Sequence, residues 1–553
     1  MRTAGIPLAL LFSGAAPLAG QSGDVAIVPR PASVSLGRGA FQLTERTAVW
    51  ADREDSAVAR RFVQDLAPAT GFDLRVRVGT PTSGNRIVFA RAAHDTSLGP
   101  EGYRLTVSPS VITITSAAPA GAFYATQTLR QLLPTEIFRA APITGVKWTI
   151  PAVTIVDRPR FAWRGMHLDV SRHFMPKEFV KKYIDLLALH KMNSFHWHLT
   201  DDQGWRIEIK KYPRLTSVGA WRTQTLVGKA QSDSTLDVYD HEPHGGFYTQ
   251  DDVREIVEYA RERFVRIVPE IEMPGHSQAA IAGYPSLGNF GDTVPVWTRW
   301  GVTPHILNPS DTTIAFMQDV LTEVMALFPG EFIHIGGDEA IKPEWKSSPR
   351  AQAKIKALGI APDDPNNPRD FRAEDALQSW FTTQMDRFLT AHGRRLVGWD
   401  EILEGGLAPN AVVMSWRGTA GGLAAARAGH DVIMAPDGNT YFDKYQSRNI
   451  ATEPLAIGGF LPLDSVYAYE PVPAELEPQF ASHILGAQGQ IWTEYIKGPK
   501  NVEYMAFPRE AALAEVLWTP KPRRDFGDFS SRLPAELRRL EALDVNYRPV
   551  TKP

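Results

Sequence analysis

The chain has 553 residues, no cysteine, and 59 basic against 62 acidic residues, for a formal net charge of -3. This length exceeds what one ordinary hydrophobic core can hold, so two or three domains are expected. The near-neutral charge leaves no basic excess for a nucleic-acid backbone or an anionic membrane. The lack of cysteine excludes disulfides, thiolate nucleophiles and cysteine-ligated metals.

The N-terminus reads "MRTAGIPLALLFSGAAPLAGQSG", in which one basic residue, Arg2, precedes an apolar run and then small residues. This order is typical of a cleaved secretory signal peptide, which we assign to residues 1–21. A secreted or periplasmic protein is therefore expected. The alternative is a merely apolar N-terminus, because the positive region is a single residue. No other stretch reaches the roughly 18 apolar residues that a membrane helix needs, so no membrane span is predicted.

Residues 22–157 have the pattern of a small α+β domain. The segments "YRLTV" (103–107) and "VITIT" (111–115) alternate apolar and polar residues around a short turn, as a β-hairpin does. The segment 120–133 has apolar residues at helical spacing. A proline-bearing segment, 156–163, leaves this domain.

Residues 158–520 alternate short apolar strands with longer helical patterns, which predicts parallel strands joined by helical crossovers. Eight strands close a (β/α) barrel, so we predict an α/β protein with a (β/α)8 TIM-type barrel preceded by the small α+β domain. The links 206–247 and 283–310 are long and irregular, and 521–553 is expected to be a helical extension packed on the barrel. The eight candidate strands are 165–170, 194–199, 266–271, 332–337, 395–399, 412–416, 432–436 and 485–492. Helices between them are predicted at 177–190, 252–264 and 314–328.

Polar residues follow the predicted strands, and in such barrels the active site is built at the carboxyl ends of the strands. Tryptophans lie at or near the same strand ends. Aromatic rings with carboxylates between them suit a sugar, whose C–H faces stack on rings while its hydroxyls bind acids. The polar residues are Asp169, Asp201, Asp202, Glu272, His276, Asp338, Glu339, Asp400, Glu401, Arg417, Asp437 and Glu494. The tryptophans are Trp197, Trp205, Trp399, Trp416 and Trp492.

Six segments of the chain carry a family resemblance. They are "RGMHLDVSRHF" (164–174), "HWHLTDDQGWR" (196–206), "EIEMPGH" (270–276), "HIGGDEA" (334–340), "GWDEI" (398–402) and "QIWTE" (490–494). Together they resemble the β-N-acetylhexosaminidases of glycoside hydrolase family 20, over residues from about 24 to 520. The resemblance implies an exo-acting enzyme that hydrolyses terminal non-reducing β-linked N-acetylglucosamine or N-acetylgalactosamine with retention. It implies substrate-assisted catalysis without a metal or other cofactor.

In that mechanism the 2-acetamido oxygen of the substrate attacks the anomeric carbon. The resemblance makes Glu339 the acid and then the base, and makes Asp338 the acceptor of the acetamido N–H. Successive side chains of an extended segment point opposite ways, so the adjacent pair could address two parts of one sugar. Gly336 and Gly337 would permit close backbone approach. We expect burial and the neighbouring charge to raise the pKa of Glu339.

Other site residues are implied by the same resemblance. Arg164 would bind ring hydroxyls and Glu494 would hold the sugar from the far side, although Arg164 could instead form a structural ion pair. Asp201 and His276 would form a chain to Glu339 that sets its orientation. Trp399, Trp416 and Trp492 would form a wall around the acetamido group and the ring. Tyr441 would donate a hydrogen bond to the acetamido oxygen. Asp443 would bind hydroxyls.

Parts of the sequence are also compatible with three other functions. His196 and His198 share one face of a strand, as metal ligands do in amidohydrolase barrels, but only His276 is well placed as a further ligand for such a metal-dependent enzyme. A non-catalytic sugar-binding module would be expected to lack the acid. A family 20 enzyme that releases disaccharides is a third possibility. The expected partner is a carbohydrate, in chitin fragments or glycan ends; gluco or galacto preference and oligomeric state stay open.

Overall fold

The computed structural model describes residues 25–550 apart from 80, 82, 83, 365, 366, 368 and 369. The predicted signal segment, 1–21, lies outside the described residues. Within the described part of the chain, no helix is both long and apolar enough to span a membrane.

A seven-stranded sheet with two helices forms the N-terminal domain. The predicted hairpin is present, because Tyr103–Val107 pairs antiparallel with Val111–Ser116. The helices, Ser56–Thr70 and Pro119–Leu132, contact the sheet, and the second of them is the helix predicted at 120–133. In spatial order the strands are Ser33–Gln42, Thr149–Asp157, Tyr103–Val107, Val111–Ser116, Arg86–Arg91, Ala48–Ala51 and Val76–Val78.

The eight predicted barrel strands all form, and they close into one parallel barrel. The first pairs with both the second and the eighth, which is the contact that closes the ring. The fold class, a (β/α)8 barrel preceded by a small α+β domain, is therefore confirmed. In chain order the barrel strands are Trp163–Asp169, Ser194–His198, Arg266–Glu270, Phe332–His334, Arg395–Trp399, Val412–Ser415, Val432–Met434 and Ile484–Gly489.

Helices connect these strands and surround the barrel, and the three predicted between them are present within a few residues of the expected bounds. The helix Gln250–Arg261 begins at a capping box, in which the Thr249 side chain and the Asp252 side chain each accept from the other's backbone N–H. The principal barrel helices are Lys177–Leu189, Gln250–Arg261, Asp311–Leu327, Arg372–Ala391, Ala420–Arg427, Pro499–Ala506 and Arg509–Trp518.

The C-terminal helix, Phe526–Ala542, joins the barrel to the N-terminal domain. Arg532 forms an ion pair with Glu515 of the last barrel helix at 2.7 Å. Arg539 donates to the backbone oxygen of Gln131, in the second helix of the N-terminal domain, at 3.1 Å. The helix is thus tied to the last barrel helix and to the second helix of the N-terminal domain.

Candidate active site

The carboxylate pair Asp338 and Glu339 lies in the loop after the fourth barrel strand. Three residues of this loop have positive φ: 68° at Gly336, 94° at Gly337 and 46° at Glu339. A Cβ atom on Gly336 would lie 1.7 Å from Oε2 of Glu272, so only glycine fits there. The expectation of an extended segment is therefore wrong. Two glycines with positive φ precede Asp338, and Glu339 itself is held in a backbone conformation that is rare outside glycine.

Asp338 is buried, whereas the Glu339 side chain is 40% exposed. Among the described residues Oδ1 of Asp338 has no hydrogen-bond partner. Burial, with the charge of Glu339, raises the pKa of Asp338 to about 7, against the opposing effect of His276. A buried oxygen without a hydrogen-bond partner costs free energy. This oxygen is therefore suited to accept a hydrogen bond from a ligand.

His276 lies between the aspartates of the second strand's loop and the carboxylate pair Asp338 and Glu339. Its Nδ1 is 3.2 Å from Oδ1 of Asp201, and its Nε2 is 3.3 Å from Oε2 of Glu339 and 3.6 Å from Oδ2 of Asp338. Burial opposes the protonation of His276, but the charges of Asp201 and Asp338 hold its pKa well above the usual value. The structure thus brings together the expected chain from Asp201 through His276 to Glu339.

The pKa of Glu339 shifts in the opposite direction to the one expected from sequence. The hydrogen bond from His276 lowers it, and this effect outweighs partial burial. The charge of Asp338 is apparent from the sequence, but the imidazole 3.3 Å from the Glu339 carboxylate comes from a different strand end and is brought there by the fold. These shifts favour a protonated His276 beside an ionised Glu339.

Four aromatic side chains form a continuous wall at the carboxyl ends of strands five to eight. The ring centroids of Trp399 and Trp492 are 5.9 Å apart, those of Trp492 and Tyr441 6.4 Å, and those of Tyr441 and Trp416 6.2 Å. The indole N–H groups fix two of these rings: that of Trp399 donates to Glu270 at 2.8 Å, and that of Trp416 to Glu401 at 2.9 Å. The expected aromatic wall is thus assembled from separate strand ends.

Asp443 follows Tyr441 of this wall by two residues, and Glu494 follows Trp492 by two; Asp443 is buried, and the Glu494 side chain is 13% exposed. Neither oxygen of Asp443, nor Oε2 of Glu494, has a partner within the described ranges. Burial and the charge of Glu494 raise the pKa of Asp443 to about 8. Burial likewise raises the pKa of Glu494, although Arg172 opposes the shift. Paired buried acids with free oxygens are suited to accept hydroxyl donors.

Comparison with known proteins identifies the family. The model "Glycosyl hydrolase family 20, catalytic domain" matches residues 161–521, and the model "Glycosyl hydrolase family 20, domain 2" matches residues 24–158. The chain belongs to glycoside hydrolase family 20. The two matched regions meet between the last strand of the N-terminal sheet, which ends at Asp157, and the first barrel strand, which begins at Trp163.

Characterised members of this family are similar over most of the chain. A beta-hexosaminidase of Porphyromonas gingivalis is 43% identical over 94% of this chain, which spans 64% of that protein's length. A beta-N-acetylhexosaminidase of Cellulomonas fimi is 33% identical over 92% of this chain and 93% of its own. The solved family 20 beta-N-acetylhexosaminidase of Streptomyces coelicolor A3(2) superposes with a TM-score of 0.80 at 33% identity, covering 96% of this chain and 98% of that one.

In this family 20 chain Arg164 is not part of the site. It is fully buried at the amino end of the first barrel strand, where its guanidinium donates to both oxygens of Glu101 at 2.7 and 3.0 Å and to Tyr124 at 3.2 Å. Both partners belong to the N-terminal domain. The prediction that Arg164 binds ring hydroxyls is therefore wrong, and the structural ion pair is the correct alternative.

Arg172 occupies the position that was assigned to Arg164. It follows the carboxyl end of the same strand, 2.8 Å from Asp201, 3.2 Å from Asp169 and 3.9 Å from Glu494. Its guanidinium also lies over the ring of Trp492, 5.0 Å from the centroid. The signal was present in "RGMHLDVSRHF", because the first arginine precedes the apolar strand residues and the second follows them. Because barrel sites are built at the carboxyl ends of the strands, the second arginine is the one expected in the site.

The histidines of the metal-dependent alternative point into the barrel and contact carboxylates. His198 hydrogen-bonds Glu270 through Nδ1 and Asp201 through Nε2, while Nε2 of His196 is 3.0 Å from Glu270. Several trios of such groups come within 4.8 Å of one another, including His276 with the catalytic pair. At His198 hydrogen bonding accounts for the spacing, since both ring nitrogens contact carboxylates. The pairing therefore favours a proton network over a metal centre.

Proposed function

We propose that this chain is an exo-acting β-N-acetylhexosaminidase that removes terminal non-reducing β-linked N-acetylglucosamine or N-acetylgalactosamine with retention. The observation that carries the proposal is the buried, unpartnered Oδ1 of Asp338 beside the solvent-facing Glu339. One carboxylate is poised for a donor on the sugar and the other is accessible to the leaving group. The names of the family 20 relatives support the same activity.

Asp338 is proposed to hold the acetamido group. Its free Oδ1 would accept the acetamido N–H, and this hydrogen bond would favour the ionised carboxylate, whose pKa of about 7 leaves it half protonated near neutrality. The acetamido oxygen then attacks C1 of the sugar as the glycosidic bond breaks. Positive charge develops on the resulting oxazolinium ring, and the Asp338 carboxylate stabilises it electrostatically.

Glu339 is proposed to supply and then recover one proton. Before a sugar binds, that proton would be held by His276, 3.3 Å away. A bound sugar would cover the exposed part of the Glu339 side chain, and loss of water would raise its pKa towards that of an effective acid. Glu339 protonates the leaving oxygen. Water then attacks C1 and gives its proton to Glu339, and the ring opens to regenerate the acetamide with net retention of configuration.

The rest of the site is proposed to hold the terminal sugar as a whole. The wall of Trp399, Trp416, Tyr441 and Trp492 offers faces for stacking against the ring and the acetamido methyl. Asp443 and Glu494 would bind hydroxyls far from the bond that is cleaved. Because hydroxyl acceptors are grouped at that end, the sugar bound there is expected to carry no further residue at that position. This expectation is the basis for proposing exo action.

The decisive experiment compares aryl β-glycosides that differ only at C2. The 2-acetamido sugar should be hydrolysed with retention, and the 2-hydroxy sugar should be almost inert because it lacks the attacking oxygen. Retention can be followed by NMR of the first-formed anomer. A 2-fluoro sugar that traps a covalent glycosyl ester on a carboxylate would replace this mechanism with a conventional double displacement.

A location outside the cytoplasm, secreted or periplasmic, is part of the same proposal. Its support is the residue order of segment 1–21. N-terminal sequencing of the natural product should find a start near residue 21. Recovery of the protein with Met1 or Thr3 at its N-terminus would contradict it.

A further inference from the structure

A cluster of buried histidines and carboxylates fills the barrel interior below the site. Glu270, at the carboxyl end of the third strand, is fully buried and contacts His196, His198 and His334 as well as the indole N–H of Trp399. The mechanism above uses none of the three histidines. Burying a carboxylate is costly unless it is hydrogen-bonded and paired. The contacts of Glu270 with these histidines meet that requirement.

One of these histidines connects the cluster to the catalytic acid. Nδ1 of His198 hydrogen-bonds Oε2 of Glu270, and its Nε2 lies 2.9 Å from Oδ2 of Asp201. The other oxygen of Asp201 is 3.2 Å from His276, which in turn is 3.3 Å from Glu339. The contacts therefore form one unbroken chain of five side chains from the barrel axis to the leaving-group position.

We propose that His198 is a positioning residue for catalysis, which fixes Asp201 from below and thereby sets the orientation and proton affinity of His276 and Glu339. The proposal rests on the proposed function, because the two limbs of the pH profile that it addresses belong to the proposed catalytic carboxyl groups, Asp338 and Glu339. It adds a residue of the barrel interior to a site otherwise built at the strand ends.

The charges along the chain alternate, which supports this role. Burial works against charge throughout, yet Glu270 and Asp201 raise the pKa of His198 to about 10, while the pKa of Glu270 is held well below its usual range. Burial opposes Asp201 in the same way, but Arg172 and His276 keep its pKa low. Each cation thus lies between two anions, so the chain is held by charge-assisted hydrogen bonds, which are stronger than neutral ones.

Other charged groups also face His198 or its partner. Arg172 lies 2.8 Å from the same oxygen of Asp201, so Asp201 keeps one cationic partner when His198 is removed. Glu272 lies 4.0 Å from His198, and the rings of His167 and His198 are 5.6 Å apart. The groups that face His198 are therefore Glu270, Glu272, Asp201, Asp169, His167 and His196.

His196 provides a matched control. It precedes His198 by two residues on the same strand, is equally buried, and contacts the same oxygen of Glu270 at 3.0 Å. Its other nitrogen faces Gln488 at 2.8 Å instead of Asp201. Burial lowers the pKa of His196 to about 4, so its ring is neutral at pH 7 and its replacement removes no charge.

The test compares the pH profiles of kcat/KM for His198→Gln and His196→Gln on a 2-acetamido aryl glycoside. Loss of the His198 cation should raise the proton affinity of the groups beyond it, so both limbs should move to higher pH by about one unit. The value of kcat should fall about tenfold as Asp201 loses its lower support. His196→Gln should keep the wild-type limbs. Equal shifts in the two variants, or unmoved limbs in His198→Gln, would overturn the proposal.

A second measurement needs no variant and no turnover. Neutron diffraction of the wild-type protein at pH 7 should show deuterium on both ring nitrogens of His198 and His276, but on only one nitrogen of His196. A singly deuterated His198 would overturn the proposal even if the His198→Gln protein failed to fold. This result does not depend on the substrate. It therefore tests the hydrogen-bonded chain from Glu270 to Glu339 independently of the proposed activity.

Discussion

Nε2 of His276 lies 3.3 Å from the carboxylate of Glu339 and 3.6 Å from that of Asp338, so one imidazole contacts both members of the catalytic pair. Its charge acts differently on the two acids. It lowers the pKa of Glu339 through a hydrogen bond, whereas Asp338 is more deeply buried and keeps a raised pKa of about 7. Two adjacent carboxyl groups thus have distinct proton affinities, and the proposed roles require substrate binding to reverse their order, by raising the pKa of Glu339 and favouring the ionised form of Asp338.

Replacement of Glu339 by Gln should remove the proton donor while preserving shape. General acid catalysis contributes typically about 10² to 10⁴-fold, so turnover of natural glycosides should fall by that factor. The loss should be much smaller on an aryl glycoside with an acidic phenol, which leaves without protonation. Measured kcat/KM values on the two substrates check this, and an equal loss on both would contradict the role of acid.

Asp338→Asn should impair both hydrolysis and the binding of a thiazoline that mimics the cyclic intermediate. The amide fills the same space but carries no charge for the oxazolinium, so the mimic should lose affinity while the product sugar loses little. Inhibition constants for the two ligands give the comparison. If both ligands weakened alike, Asp338 would contribute shape instead of charge.

The two arginines of "RGMHLDVSRHF" should respond differently to replacement by lysine. Arg172→Lys should lower kcat/KM roughly 10- to 100-fold, because it weakens charged hydrogen bonds to Asp169 and Asp201 that are worth about 1.5–3 kcal/mol. Arg164→Lys should lower the melting temperature, since it disrupts a bidentate pair with Glu101, but keep turnover per folded molecule.

Thermal melts and active-site titration of both proteins separate these effects. If Arg164→Lys lost turnover without losing stability, the assignment of Arg164 to the domain contact would be incorrect. If Arg172→Lys altered only the melting temperature and not turnover, the assignment of Arg172 to the site would be incorrect.

Asp443 predicts a pH dependence of stability. The pKa of about 8 in the folded protein lies above the value near 4 of an unfolded aspartate, so the native state binds the extra proton. Stability from this group is therefore present below pH 4 and is lost as pH rises towards 8. Asp443→Asn removes the titration, so its melting temperature relative to wild type should be higher at pH 8 than at pH 5.

The same substitution should raise KM, because Asp443 is proposed to bind a hydroxyl of the sugar. Melting curves at the two pH values and steady-state kinetics test the two parts separately. A difference in melting temperature that is the same at pH 5 and pH 8 would show that Asp443 is ionised in the folded protein throughout this range.

Much of the architecture follows from the sequence alone. All eight barrel strands were predicted from apolar runs of strand length that lie between helical patterns. Such a prediction succeeds because the spacing of apolar residues along the chain reflects which face of each element is buried. The rule that barrel sites lie at carboxyl ends then placed Asp338, Glu339, His276 and Glu494 on one face. These residues lie directly after their strands, so their position along the chain was enough to group them.

Only the tertiary structure decided the contacts that depend on distance across the barrel. It assigned Arg164 to Glu101 of the other domain and Arg172 to the site, and it reversed the expected pKa shift of Glu339 by placing His276 beside it. Electrostatic interaction falls with separation and depends on burial, and neither quantity is encoded in the spacing of residues along one strand. The sequence therefore determined the barrel and most of the side chains at its carboxyl end, whereas the closed barrel decided which arginine joins them and which groups interact.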